Sequence, residues 1–434
     1  MLNTIWLGLV LAAVFLGGFS GRLPAVTEGA IKGAETAVTL ALGLVGVMAL
    51  WLGIMRLAEK AGLVQGLATL LRPVMRRLFP DVPPDHPAMG SMLMNIAANM
   101  LGLNNAATPL GIRAMKDLER LNPHPGTATN AMCTFLAINT SSVQLIPVTA
   151  IAILAAAKSV DPTAIIGTAF LATVCSTAAG IIAVKSLERI WRSPPASLET
   201  LRSETAQASV PGDISELTQS SSPLSTFGRA VVLVYLLGFC AIAYMIWQGA
   251  AVAQGGRVSK LVNVVSALAI PFLLSFVPLI ASLKKLKVYE EFTEGAKEGF
   301  SVALKIIPFL VALLVAISMF RGAGGIELIG QFAGPFLNYL HFPSELLPIS
   351  LMRPLSGSGS LGILSELVKQ YGPDHLISRT AATLFGSTET TFYVIAVYFG
   401  AVNIRRTRHA VPAGLIADFV GMGASVVICR IAFT

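Results

Sequence analysis

Glu389 sits in the run GSTETTFY, inside an otherwise uncharged apolar stretch at 379–402. A carboxylate at that depth is a functional candidate by default. It can pair with Arg353, take up a proton or hold a cation, or it can form a buried ion pair that only fixes one element to another. Ser387, Thr388 and Thr390 flank it and can satisfy its remaining lone pairs. Arg353 precedes Pro354 and the run LSGSGSLG. The glycines there permit close backbone approach, and Ser356, Ser358 and Ser360 add donors, so the turn can either present bare N–H groups to an anion or be a flexible hairpin tip. A second polar cluster lies in the first half: Asn95, Asn99, Asn104, Asn105 and Thr108, with Pro109 where a helix would have to break. At membrane depth these uncharged groups need partners. They either line a cavity for a polar solute or cap broken helix ends and satisfy one another. Asn139, Thr140 and Gln144 interrupt the next apolar stretch in the same way.

Other chemistries lack their parts. No GxxxxGK[ST] loop occurs, and the histidines fall in loops without metal-ligand spacing. Cys133, Cys175, Cys240 and Cys429 lie in apolar stretches without CxxC spacing, which points to packing. No Ser, His and Asp set or catalytic carboxylate pair assembles from linear spacing, so neither an enzyme, a cofactor nor a metal site is expected.

The elements that position these residues belong in lipid. The chain has 434 residues, 54% of them hydrophobic and 12% charged, against about 25% charged in soluble domains. Residues 3–19, 37–57, 131–157, 163–184, 227–247, 261–283, 302–320, 379–402 and 410–432 are each apolar and long enough, or nearly so, for a hydrocarbon core of about 30 Å. Lys305 is expected near a helix end, and Asp418 is a second, weaker intramembrane candidate. Segments 89–115 and 345–367 are too polar and Gly-rich for lipid-facing helices and read as re-entrant hairpins, since irregular backbone survives at that depth only inside protein or around a water-filled cavity. With both hairpins re-entrant and the N-terminus cytoplasmic, the basic residues from Arg56 to Arg77, Arg113 to Arg120, Lys185 to Arg202, Arg229, Lys284 to Lys297 and Arg405 to Arg408 gather on one side. This is the positive-inside pattern. It also accounts for the net charge of +8 without nucleic acid.

Residues 193–226, rich in Ser, Thr, Pro and acidic side chains, read as a flexible linker. On either side the order repeats: span, short amphipathic segment, polar hairpin, span. Asn139 falls beside Ser387 and Thr140 beside Thr388. The spans before the hairpins are the second and seventh crossings, so the repeat is inverted, an arrangement by which secondary transporters build a midplane site with alternating access.

The run MNIAANMLGLNNAATPLGIRAM resembles spore maturation protein A, and MRPLSGSGSLGI, GSTETTFYVIAVYFGAV and IRRTRHA resemble spore maturation protein B. Except for the linker, the chain looks like a fusion of the two, both of the nucleoside recognition, or gate, domain group. The resemblance implies a membrane protein linked in spore formers to core dehydration and heat resistance, with kinship to gate domains of nucleoside permeases and ferrous iron transporters.

The fold expected is therefore an all-α polytopic membrane protein: two inverted-topology repeats, about nine transmembrane helices and two re-entrant helical hairpins. The halves are 1–192 and 227–434, in a bacterial inner membrane with the C-terminus outside. The partners expected are the lipid bilayer and a small polar solute, nucleoside-like or anionic. A homo-oligomer is compatible with this reading and nucleic acid is not expected. The function is transport or binding of that solute at a central site, the alternative being a non-transporting scaffold or regulatory protein of the spore-maturation type. If 193–226 is only a tether, the two halves expressed as separate chains co-purify from membranes; failure to do so would remove the basis for the fusion reading.

Overall fold

The computed structural model describes residues 2–102, 104–141, 144–191, 225–249, 257–325, 328 and 342–433. Of the expected linker only residues 225 and 226 are among them, and the rest lies outside the described residues. The helices are α1 (Leu2–Phe19), α2 (Leu23–Lys60), α3 (Leu63–Leu78), α4 (Pro87–Met100), α5 (Asn104–Glu119), α6 (Asn130–Ser141), α7 (Val148–Ala156), α8 (Ile165–Glu188), α9 (Thr226–Gly249), α10 (Arg257–Leu283), α11 (Val288–Gly322), α12 (Leu347–Met352), α13 (Gly357–Tyr371), α14 (Leu376–Ser387), α15 (Thr391–Gly400) and α16 (Ala410–Phe433). No β-strand forms among the described residues; a single isolated bridge joins Thr127 to Arg406. Among the described residues four helices, α2, α8, α9 and α16, are long and apolar enough to cross a membrane alone. The chain is an all-α, multi-pass membrane protein.

The longest contact is between α2 and α11. They have 38 and 35 residues, roughly 57 and 52 Å at about 1.5 Å per residue, well beyond an apolar core of about 30 Å. Glycines let their backbones touch. A Cβ on Gly29 would lie 2.5 Å from the Ser318 carbonyl oxygen, one on Gly33 2.7 Å from that of Leu314, and one on Gly299 2.5 Å from that of Met48. The partner numbers fall along α11 as they rise along α2, so the pair is antiparallel. Small residues spaced four apart are what bring membrane helices this close, because lipid supplies no hydrophobic drive between them. Arg56 ties one end, donating to Glu291 at 2.9 Å and to Glu298 at 3.2 Å. Lys305, expected near a helix end, falls instead well inside α11.

α8 and α16 form a second antiparallel pair. A Cβ on Gly180 would approach that of Ala417 to 3.1 Å, one on Gly421 would approach that of Ser176 to 3.0 Å, and Ser176 Oγ donates to the Ala417 carbonyl at 2.9 Å. At the periphery α9 packs against α10 through Tyr235, Phe239, Phe272 and Phe276.

Two expected continuous spans are broken. The stretch 131–157 divides into α6 and α7, with Pro147 at the cap of the second piece. The stretch 379–402 divides into α14 and α15, with Thr388 fully extended (φ −141°, ψ 163°) and Thr390 at the N-terminal boundary of the new helix. No proline explains the second break; its backbone groups find partners across the molecule instead of along the helix. In the first hairpin the break expected at Pro109 occurs earlier: Gly102 takes a left-handed turn (φ +75°) and Pro109 rides inside α5. As the sixth residue of α5, Pro109 forgoes one intrahelical N–H bond there.

A leucine at position 299 has to push two backbones apart. Gly299→Leu is expected to destabilise the protein by about 1–3 kcal/mol, read as a lowered thermal midpoint in detergent. Gly46→Leu, where an added Cβ meets nothing within 4 Å, is expected to leave it unchanged.

Candidate functional site

The two broken helices cross at their breaks. The Glu389 backbone N–H donates to the Thr140 carbonyl at 2.8 Å, and the Phe392 N–H donates to the Pro354 carbonyl at 3.0 Å, so the turn between α12 and α13 docks on the same place. Arg353 reaches in from that turn. Its Nη2 donates to the Thr388 carbonyl at the C-terminal end of α14, and its guanidinium lies 4.3 Å over the Phe385 ring. Nη2 also stands 3.8 Å from Glu389 Oε2. Gln144 Nε2, from the break between α6 and α7, donates to Glu389 Oε1 at 3.2 Å.

Around this crossing lies a cavity of about 240 Å³, lined among others by Trp51, Gln144, Pro147, Arg353, Phe385 and Glu389. Exposure separates the two charges: the Arg353 side chain is 4% exposed and that of Glu389 29%. The guanidinium is held by a helix end, a ring and a carboxylate, while its Nε is buried without a hydrogen-bond partner among the described residues. The carboxylate is the more exposed of the two charges at the cavity.

Trp51 of α2 was not singled out from the sequence. Its indole Nε1 is buried at the cavity wall with no hydrogen-bond partner among the described residues. The signal was available: a buried indole N–H normally finds a partner, and Trp51 sits inside a long apolar stretch.

The asparagines of the first half form a different construction. Asn99 Nδ2 donates to Asn139 Oδ1 at 2.9 Å, Asn139 Nδ2 to the Phe135 carbonyl at 2.9 Å, and Asn95 Nδ2 to the Ala107 carbonyl at 2.7 Å and Tyr398 Oη at 3.2 Å. Tyr398 Oη donates to Asn139 Oδ1 at 3.4 Å. The network joins both arms of the first hairpin to α6 and to α15 of the other half. Tyr398 is seated on Gly111, where a Cβ would come within 2.2 Å of the phenol oxygen. Asn104 and Asn105 open α5, with Thr108 one turn on, and the side chains of the two asparagines lie outside the described residues.

Most hydroxyls are turned inward to local backbone. Ser356 caps α13 by accepting from the Gly359 N–H at 3.0 Å and meets Ser358 Oγ at 3.3 Å, while Ser360 donates back to the Ser356 carbonyl at 2.8 Å. Thr140 donates to the Ala137 carbonyl at 3.1 Å, and Ser387 to that of Leu384 at 3.0 Å. The serine-glycine turn is thus a capped helix start. Thr388 Oγ1 is buried without a partner among the described residues, and Thr390, also buried, stands at the start of α15. The structure brings Gln144, Arg353 and Glu389 together at the cavity and Asn95, Asn99 and Asn139 together beside it.

Asp418 adjoins the second break. Its Oδ2 accepts from Thr391 Oγ1 at 2.7 Å, and its Oδ1 has no partner among the described residues. Gly414 and Gly421 flank it on one face of α16, where added Cβ atoms would meet methyl groups of Thr391 at 2.9 Å and Thr388 at 2.7 Å. This face of α16 is pressed against the break.

The Gate family model, described as "Nucleoside recognition", matches residues 41–158 and 303–405, the two stretches that hold the hairpins and the broken helices. Spore maturation protein A of Bacillus subtilis (strain 168) is 46% identical over 182 residues, covering 42% of this chain and 93% of that protein. Spore maturation protein B of the same organism is 41% identical over 174 residues, covering 40% of this chain and 98% of that protein. The chain belongs to the nucleoside recognition (Gate) family. It joins in one polypeptide the counterparts of two separate spore maturation proteins.

The amide network makes a prediction of its own. Tyr398→Phe removes one acceptor and one donor and is expected to cost about 1 kcal/mol, whereas Gly111→Val displaces the phenol ring and is expected to cost more. Thermal unfolding of the two purified variants measures the difference.

Proposed function

We propose that the protein is a secondary transporter or facilitator that carries a small, hydrogen-bond-donating solute through the cavity at the crossed helix breaks. The observation that carries this reading is the composition of the cavity wall: an indole N–H on Trp51 without a partner among the described residues, the amide of Gln144 and the partly exposed carboxylate of Glu389. A flat aromatic wall with one donor and convergent acceptors suits a planar neutral or cationic solute. An anion would face the carboxylate while Arg353, the cation at this wall among the described residues, is already held by the Thr388 carbonyl and Glu389, so the neutral or cationic class is preferred to the anionic one. A nucleoside-like solute fits these demands, in keeping with the label of the matched family.

Residues 1–192 and 227–434 are proposed to be inverted repeats about a pseudo-two-fold axis, with 193–226 tethering them and each hairpin entering from its own face. Nine crossings, a cytoplasmic N-terminus and an outer C-terminus in a bacterial inner membrane complete the topology. Its support is the gathering of basic segments at one end: Arg405 and Arg406 donate backbone N–H groups to the Gly126 carbonyl at 2.9 and 3.0 Å, and Arg408 Nη1 donates to that of Ala128 at 3.0 Å. At the other end Asp374 accepts from Ser159 Oγ at 2.6 Å. Transport is proposed rather than catalysis. The second reading is a non-transporting scaffold or regulatory protein of the spore-maturation type, the type named by the two relatives.

A thermal-shift screen of nucleosides, dicarboxylates and metal ions on purified protein, followed by uptake into proteoliposomes, tests the proposal. Trp51→Phe keeps the ring and loses the donor; it is expected to weaken binding of the hit about tenfold, as one buried hydrogen bond is lost, with stability unchanged. Replacing Arg353 and Glu389 together by neutral groups of similar size is expected to leave a folded protein that no longer binds, since removing both avoids stranding one charge. A folded double variant that still binds and transports normally would make the pair a scaffold. Binding without any uptake favours the regulatory reading.

A further inference from the structure

A second concavity lies between α3 and the first hairpin, away from the crossed breaks. It measures about 560 Å³, with apolar walls that include Met89, Leu93, Met94 and Leu110 and with Arg72 and Arg113 at its polar edge. α3 is built for the membrane surface. Val64, Ala68 and Met75 are buried, while Leu70 and Val74, one turn apart, turn outward at 72% and 53% exposed. Arg76 and Arg77 occupy its last turn. An amphipathic helix with outward aliphatic side chains beside arginines lies in the headgroup layer, its apolar stripe reaching the acyl chains.

The charges at the groove are unevenly committed. Arg72 meets Asp85 at 3.7 Å, but their side chains are 48% and 94% exposed, and such a surface pair contributes little. The other carboxylate near this wall, Asp117, is taken by Ser91 Oγ at 2.7 Å and by Arg120 Nη1 at 3.3 Å. His86 also lines the groove; burial holds its imidazole below the ordinary range, so it adds no cation there. What remains is an apolar slot opening at a surface where Arg72 and Arg113 stand over an acyl-facing helix.

We infer that this groove holds one anionic phospholipid, its phosphate between Arg72 and Arg113 and an acyl chain along the methionine and leucine wall. Shape and charge both select this occupant. A zwitterionic headgroup returns the attraction of its phosphate as repulsion from its amine, and a soluble anion leaves the apolar slot empty. Gly90 sits in the wall with nothing within 4 Å of an added Cβ, so the slot can be filled without disturbing packing. The inference is independent of whether the central cavity transports a solute, and the sidedness proposed above decides only which leaflet supplies the lipid.

Native mass spectrometry of delipidated protein titrated with phosphatidylglycerol or phosphatidylcholine of matched chains tests it. Wild-type protein is expected to retain one phosphatidylglycerol in preference to phosphatidylcholine. Arg72→Gln and Arg113→Gln are each expected to lower that retention about fivefold. Gly90→Phe, with every charge kept, is expected to abolish it; Gly90→Leu replaces that variant if its thermal midpoint falls below that of wild type. Equal retention of both lipids overturns the inference. So does a folded groove-filling variant that keeps its phosphatidylglycerol, because the attraction would then belong to the basic surface and not to the groove.

Discussion

The hydrogen bond from the Glu389 N–H to the Thr140 carbonyl is the point on which the rest of the molecule depends. A helix interrupted at membrane depth exposes N–H and C=O groups that lipid cannot satisfy. Here each interruption supplies what the other lacks. The first break offers a carbonyl, the second an N–H, and Arg353 covers the carbonyl left at the end of α14. Neither break is stable alone, so the two halves must meet, and the glycines of α2, α11, α8 and α16 allow them to meet closely.

The same demand explains why the polar residues divide into two groups. Those that close backbone or amide partners, such as Asn99 with Asn139 and Ser360 with the Ser356 carbonyl, build walls. Others keep an atom without a partner among the described residues, and of these Trp51 and Arg353 line the cavity beside Gln144 and Glu389. On the proposed transport reading, the polar atoms that this pairing leaves unmatched at the cavity are the ones that would select a solute.

Much of this could be read from the chain. Glu389, Arg353 and Gln144 declared themselves because charge and amide groups are costly in apolar stretches, and the structure places them within contact of one another. That residues 89–115 and 345–367 each form two helices joined by a turn was legible from their glycines and polar residues. The second helix break was not: Thr388–Thr390 contains no proline, and apolar periodicity runs through it, so only a partner from the other half reveals why the helix stops there. The glycines of α2 and α11 were equally silent, because a glycine that admits a neighbouring backbone looks the same in sequence as one facing lipid, such as Gly46. Trp51 was lost among hydrophobic neighbours because its polar atom is a single N–H.

The placement of Arg353 on the end of α14 has a consequence for how the site meets its surroundings. Half-helix C-termini in transporters are often neutralised by a metal ion drawn from solution, and the occupancy of such an ion follows its concentration. A guanidinium on the hairpin is a counter-ion at fixed stoichiometry. That helix end in the second half is therefore covered by a group that belongs to the chain, and its occupancy does not depend on an ion drawn from solution.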